Sequence, residues 1–149
     1  MILSMGPISV LCSVILSSSA LADDSYLCVA EHKAGFVFDK NSGQWDSARF
    51  KTDSKYVITK AKEGKHSWVV REVGSKSLSY SCDEGFTKIG SLVCDGLFDG
   101  LLGEFRMSKA NLRFLNTYIF GYWTDDAGGP HYVESTNIPH MEIGKCSPM

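Results

Sequence analysis

Cysteines stand at positions 28, 82, 94 and 146, and the outer two lie near the start and the end of everything that follows residue 22. A chain that joins such positions in pairs has to bring its first and last segments together, and few small architectures do so. Four cysteines allow three pairings, and spacing favours one of them. Residues 79–83 and 92–94 read as strands folded about Thr87-Lys88-Ile89-Gly90, with Cys82 and Cys94 placed symmetrically about that turn. Cys28 is then left for Cys146, a link that ties the ends of the domain. In the chain-entropy account a loop this long contributes roughly 4–5 kcal/mol, less any strain. No C-x-x-C spacing is present, so metal-bound thiols are not the reading.

Disulfides need an oxidising compartment, and residues 1–22 supply the reason to expect one. The stretch MILSMGPISVLCSVILSSSALA carries no charged side chain, runs apolar from Ile8 to Leu16, and closes on Ala20-Leu21-Ala22, the small-x-small pattern of a signal-peptidase site. The apolar run is too short to span a bilayer. It reads as a cleaved secretory signal over 1–22, followed by a single disulfide-tied domain over 23–149. It departs from the usual signal in having no Lys or Arg before the apolar run. Cys12 follows Leu11 rather than a small residue, which is not a lipoprotein cysteine pattern. No second apolar segment is long enough to hold the chain in a membrane. The expected location is the periplasm or the outside of the cell, with no stable membrane anchor after cleavage.

The length allows one good core and no more. The formal net charge is −2 and no long run of like charge stands out, which speaks against nucleic acid and anionic membrane surfaces as partners. Aromatic residues recur with Val, Ile and Thr, a strand-favouring mixture. Strands are expected over residues 26–30, 35–39, 44–50, 55–60, 68–73, 78–83, 91–95, 104–107, 112–123 and 141–146, with a glycine-containing loop over 96–103. The fold class is all-β: a small antiparallel meander closed as a barrel or sandwich, with little helix. A Cys28–Cys146 link favours the barrel, because it sets the first and last strands side by side.

Two groups are candidate ligand contacts. In the strand over 112–123, Phe114, Tyr118, Phe120 and Tyr122 share one face by the two-residue period, and Leu115, Ile119 and Trp123 share the other. Apolar residues on both faces imply that both are covered. The ordinary reading is core on one side and a packed loop on the other. The functional reading is that Tyr118, Phe120 and Tyr122 line a cavity in the barrel mouth. The second group is Arg106 and Arg113. If 108–111 is the loop of a hairpin, the two face each other on adjacent strands, and like charges in that position repel. Glu104, diagonal to Arg113, is the ordinary neutralising partner, and an anionic ligand held between the guanidiniums is the functional one.

No catalytic motif is found. His32, His66, His131 and His140 are scattered, and no H-E-x-x-H, Walker A loop or G-x-S-x-G occurs. Thr124-Asp125-Asp126-Ala127-Gly128-Gly129-Pro130-His131 gathers two carboxylates and an imidazole, yet it lacks the alternating acids and closing glutamate of a calcium loop. It reads as a solvated loop. Neither a metal site nor a cofactor is expected.

Several stretches together resemble a group of small exported bacterial proteins. They are Tyr26-Leu27-Cys28-Val29-Ala30, Gly35-Phe36-Val37-Phe38-Asp39-Lys40 with Trp45, Lys55-Tyr56-Val57-Ile58, Glu104-Phe105-Arg106-Met107, Leu112-Arg113-Phe114-Leu115, and Ile143-Gly144-Lys145-Cys146-Ser147-Pro148. The resemblance covers nearly all of the chain after the leader. It implies export and a shared structural pattern, with no activity attached, and the inhibitory motifs of the envelope's lysozyme-inhibitor barrels are not found. The expected function is a non-catalytic binding module for a protein or a small ligand. The alternatives are a hydrolase acting on envelope material through an Asp/Glu/His site, and a structural or colonisation factor. Converging carboxylates in a pocket favour the enzyme, a dry aromatic cavity favours a small ligand, and an exposed apolar patch without a pocket favours a protein partner.

Intact-mass measurement of the exported protein checks the leader. Cleavage after Ala22 predicts a chain that begins at Asp23, and retention of Met1 in the exported form contradicts it.

Overall fold

A computed structural model describes residues 25–39, 41–96, 103–119 and 138–149. The described chain forms β1 (Tyr26–Asp39), β2 (Gln44–Phe50), β3 (Lys55–Lys60), β4 (Trp68–Glu72), β5 (Tyr80–Cys82), β6 (Ser91–Gly96), β7 (Gly103–Ser108), β8 (Arg113–Tyr118) and β9 (His140–Pro148). From β3 to β9 each strand pairs antiparallel with the next, and β9 returns to pair with β1. Eight strands thus close a barrel, and β2 is an additional strand carried on β1. The all-β, barrel-closed expectation holds.

The stretches 26–30 and 35–39 are not separate strands, as expected from the sequence, but one continuous strand of 14 residues. Its first half pairs with β3, from Tyr26↔Ile58 to Val29↔Lys55. Its second half pairs with β2, from Lys33↔Phe50 to Asp39↔Gln44. Along its other side it pairs with β9, from Tyr26↔Pro148 to Gly35↔His140. A bulge between Ala30 and His32 inserts Glu31 without a partner in this ladder. An inserted residue reverses which side chains face inward. Before the bulge Tyr26, Cys28 and Ala30 are buried; after it Lys33, opposite Glu142, faces the barrel. Residues 36–39 continue beyond β9 as one half of a two-stranded arm with β2. The arm's turn is held by the Asp39 carboxylate, which accepts from the Asn41 N–H at 2.9 Å and from Ser42 Oγ at 2.8 Å.

The inward faces fill the barrel. Phe105 and Phe114 stack at 5.1 Å, and Tyr56 meets both edge-on, at 5.4 and 5.8 Å. One end is closed by Tyr26, Trp68 and Phe86, with Trp68 edge-on to Phe86 at 5.2 Å. The Lys109 ammonium lies 4.9 Å from the centre of the Phe86 ring, a favourable place for a cation. Gly144 leaves the space that Phe114 occupies: a Cβ there would lie 2.7 Å from the Phe114 ring and 2.1 Å from the Val29 carbonyl oxygen. Both expected disulfides are present. Cys28–Cys146 spans 118 residues and fastens β1 to β9, and Cys82–Cys94 spans 12 and fastens β5 to β6.

The 108–113 hairpin differs from its expected register. Leu112 takes a left-handed backbone (φ 54°) and packs against the core, so it belongs to the turn and not to the strand. Ser108 therefore lies opposite Arg113, and Arg106 lies opposite Leu115. The two arginines are diagonal on the outer face. The strand that follows stops earlier than expected, with β8 ending at Tyr118. Its outer face is not fully covered either, since Ile119 is 48% exposed.

Candidate functional site

The end of the barrel opposite Trp68 is polar. Its centre is Glu142, whose side chain is 1% exposed. Period-two alternation puts it there: Cys146 must face in to reach Cys28, Gly144 faces in beside Phe114, and Glu142 is next in the same row. A buried carboxylate is costly unless paired and hydrogen-bonded, and here every lone-pair direction has a donor. Oε1 accepts from Ser54 Oγ at 3.0 Å and from Lys33 Nζ at 2.8 Å. Oε2 accepts from the Tyr56 hydroxyl and from Asn116 Nδ2 at 3.2 Å. Asn116 in turn accepts from the Tyr80 hydroxyl through Oδ1 at 2.6 Å.

Each donor arrives from a different element. Lys33 is turned inward by the bulge in β1, Ser54 lies in the connection before β3, Tyr56 is on β3, Tyr80 on β5 and Asn116 on β8. The network is therefore a belt across the barrel. No buried side-chain nitrogen or oxygen among the described residues lacks a partner.

The electrostatics follow from this packing. Burial pushes the Glu142 carboxyl up, but the hydrogen bonds from Lys33, Tyr56 and Asn116, with the Lys33 charge, outweigh it and hold the group below the ordinary glutamate value. Burial, reinforced by the adjacent Glu142 charge, drives the Tyr56 phenol far above its usual range. Tyr80 is pushed up to about 12, chiefly by burial. At neutral pH the belt holds one carboxylate, one ammonium and two neutral phenols.

At the rim, His140 places Nδ1 2.7 Å from the Ile138 carbonyl oxygen, so that nitrogen donates. Its ring stacks on Tyr118 at 5.3 Å and meets Phe50 edge-on at 6.4 Å. Burial holds the imidazole below its ordinary value, and the neighbouring Lys33 charge acts in the same direction. Lys33 is the member of the ion pair that reaches solvent, at 23% exposure. Each carboxylate oxygen of Glu142 thus carries two donors among the described residues. What the arrangement does chemically is hold a charge pair at fixed register.

The sequence candidates lie elsewhere or only partly here. Tyr118 is at this rim, on the inward row of β8. Phe120, Tyr122 and the Asp125–Asp126–His131 stretch fall outside the described residues. Arg106 and Arg113 are on the outer wall, where Arg106 pairs with Glu104 at 2.8 Å. Arg113 sits diagonal to Arg106 and directly opposite Lys145, which pairs with Glu31 at 3.1 Å. The expected face-to-face arginine pair is corrected by this register. Among the described residues no three His, Cys, Asp or Glu side chains gather as metal ligands. His66 bonds Asp83 through Nδ1, on the exposed connections of β4 and β5, and the adjacent Ser67 hydroxyl donates to the Asp83 carbonyl oxygen at 2.8 Å.

A second surface feature is the arm. On one face it carries Phe36, Phe38, Trp45, Ser47 and Arg49, since residues opposite one another share a face. Phe36 is 53% exposed, and Phe38 packs on Trp45 at 5.6 Å. The chain matches no protein-family model, no curated protein and no solved structure.

Replacing Lys33 by Met is expected to lower stability by about 2–3 kcal/mol, below the full cost of breaking a buried pair because Lys33 reaches solvent. The pH dependence has a definite sign. The Glu142 value is depressed in the fold, so its contribution is complete above the ordinary glutamate range and is lost as pH falls through the depressed value. Denaturant unfolding of the parent and Glu142→Gln should show a stability gap at pH 6 that narrows by pH 3. A gap of constant size, or a neutral Lys33→Met, contradicts the assignment.

Proposed function

We propose that this protein is an exported, non-catalytic binding module whose contact surface is the β1–β2 arm and whose partner is a protein. The observation that carries the reading is the contrast between the filled barrel and the projecting arm. The barrel interior is occupied by Tyr56, Phe105 and Phe114, and its polar end by a belt whose hydrogen bonds are internally satisfied. The arm instead presents an aromatic side chain to solvent at its centre, Phe36, flanked by the Phe38–Trp45 pair. Exposed aromatic residues on a supported two-stranded element are what protein contact sites use as anchors. A shallow hollow of about 550 Å³ bordered by Gly35, Phe36, Ser47 and Arg49 offers room beside them.

Export rests on the leader and on the resemblance to small exported bacterial proteins, and the two disulfides are compatible with an oxidising compartment. A non-catalytic role is supported by the commitment of both Glu142 oxygens and by Ser67, whose hydroxyl is directed at the Asp83 carbonyl oxygen and not at His66.

A photo-reactive benzoylphenylalanine in place of Phe36, in cells that export the protein, is expected to give a discrete protein adduct. The same group in place of Lys76, on the connection between β4 and β5, is expected to give none. No adduct from position 36, or equal adducts from both positions, overturns the reading.

A further inference from the structure

Among the described strands β2 pairs with β1 alone. The groups it shows at its outer edge follow from the ladder. Phe36 gives its N–H to the Pro139 carbonyl oxygen, on the β9 side, while the Asp39 carbonyl oxygen accepts from Gly43 on the β2 side. In this half of β1 the odd residues bond β2 and the even ones face away. Residues directly opposite in an antiparallel pair share the same state. Phe36 lies opposite Ser47, and Ala34 opposite Arg49. Ser47 and Arg49 therefore turn their backbone N–H and C=O outward, and no hydrogen bond or ion pair to their side chains is found among the described residues.

We propose that this edge pairs with β2 of a second copy of the chain, antiparallel about a two-fold axis that passes between the two Ser47 residues. The inference rests on the protein-binding reading of the arm and names its partner. In this register Ser47 opposes Ser47 of the second copy and the two exchange both backbone hydrogen bonds. Arg49 opposes Trp45 of the second copy, and by symmetry the reverse, so that each guanidinium lies beside an indole. On the other face Asp46 opposes Ala48 and Gln44 opposes Phe50. All seven residues of β2 are used.

Other registers do less well. Only even shifts keep outward-facing groups opposite one another. Centring the pair on Asp46 or on Arg49 sets like charges directly opposite, which is unfavourable. Centring it on Ala48 opposes Ser47 to Arg49 and leaves Gln44 beyond the end of the partner strand. The Ser47 register also makes one continuous face, with a Phe36 ring flanking the serine pair on either side. A single isologous edge contact is small by the standard of stable dimers, so the association is expected to be weak and concentration-dependent.

Sedimentation equilibrium of the exported chain with both disulfides formed, from about 1 μM to about 1 mM, tests this; weak edge-paired dimers fall in that range. The average mass is expected to rise toward twice the monomer value. Ser47→Pro is expected to stay monomeric, because it removes an outward N–H, and proline is tolerated on an edge strand where that N–H faces solvent. If that variant does not fold, Ser47→Cys decides. Oxidation should link it into a dimer, while Asp46→Cys, opposite Ala48 and on the other face, should not link. A monomer at every concentration, a Ser47→Pro variant that dimerises like the parent, or cysteines at 46 and 47 that link equally overturns the inference. A monomer whose position 36 still cross-links to a different protein overturns the self-pairing and leaves the binding reading of the arm intact.

Discussion

The pairing of β1 with β9 carries three separate burdens. It closes the barrel, it brings Cys28 to Cys146, and it sets Lys33 against Glu142. The last depends on the extra residue Glu31. Were Glu31 paired in a regular ladder with no bulge, the alternation that buries Cys28 and Ala30 would turn Lys33 to solvent, and Glu142 would lose its cation. The same reversal orients the arm, since Gly35 and the residues beyond it follow Lys33. Barrel and arm are thus parts of one strand, related by one bulge.

A carboxylate in a core this small needs a physical reason. A buried ion pair adds little net stability over apolar residues of similar volume, and breaking one is expensive. Its effect is on alternatives more than on the native state. Sliding β9 along β1 by two residues would preserve the inward and outward faces, which apolar burial alone does not forbid. It would, however, separate Lys33 from Glu142 and leave the Tyr56 hydroxyl without its acceptor. The belt and the terminal disulfide therefore specify the same register by independent means, one electrostatic and one covalent. The aromatic stack of Phe105 and Phe114 below them supplies the apolar burial.

Much of this fold was legible in the residues. The turn at Thr87–Gly90 symmetric about Cys82 and Cys94 and the cysteines at both ends point to the disulfides and to barrel closure. Glu142 was legible too, though by a longer route. If Cys146 must face inward, so must Gly144 and Glu142, and an inward glutamate calls for a cation. Which cation could not be read, because in a regular strand Lys33 would lie on the wrong face, and a bulge leaves no composition signal here. The hairpin register was lost at Leu112, a non-glycine residue that completes the turn in a left-handed conformation. Propensity places a leucine in the strand, while packing against the core holds it in the turn. That single residue moved Arg106 and Arg113 from opposite to diagonal.

Glu142 is ionised inside the barrel because Lys33 and the hydrogen bonds to its carboxylate outweigh burial. The direct measurement is the titration of its side-chain carboxyl carbon by NMR in the native protein. The expected midpoint lies below the ordinary glutamate value of about 4.3. A midpoint above that value would mean that desolvation wins, that the carboxyl is held neutral, and that the bulge does not serve to deliver its counter-charge.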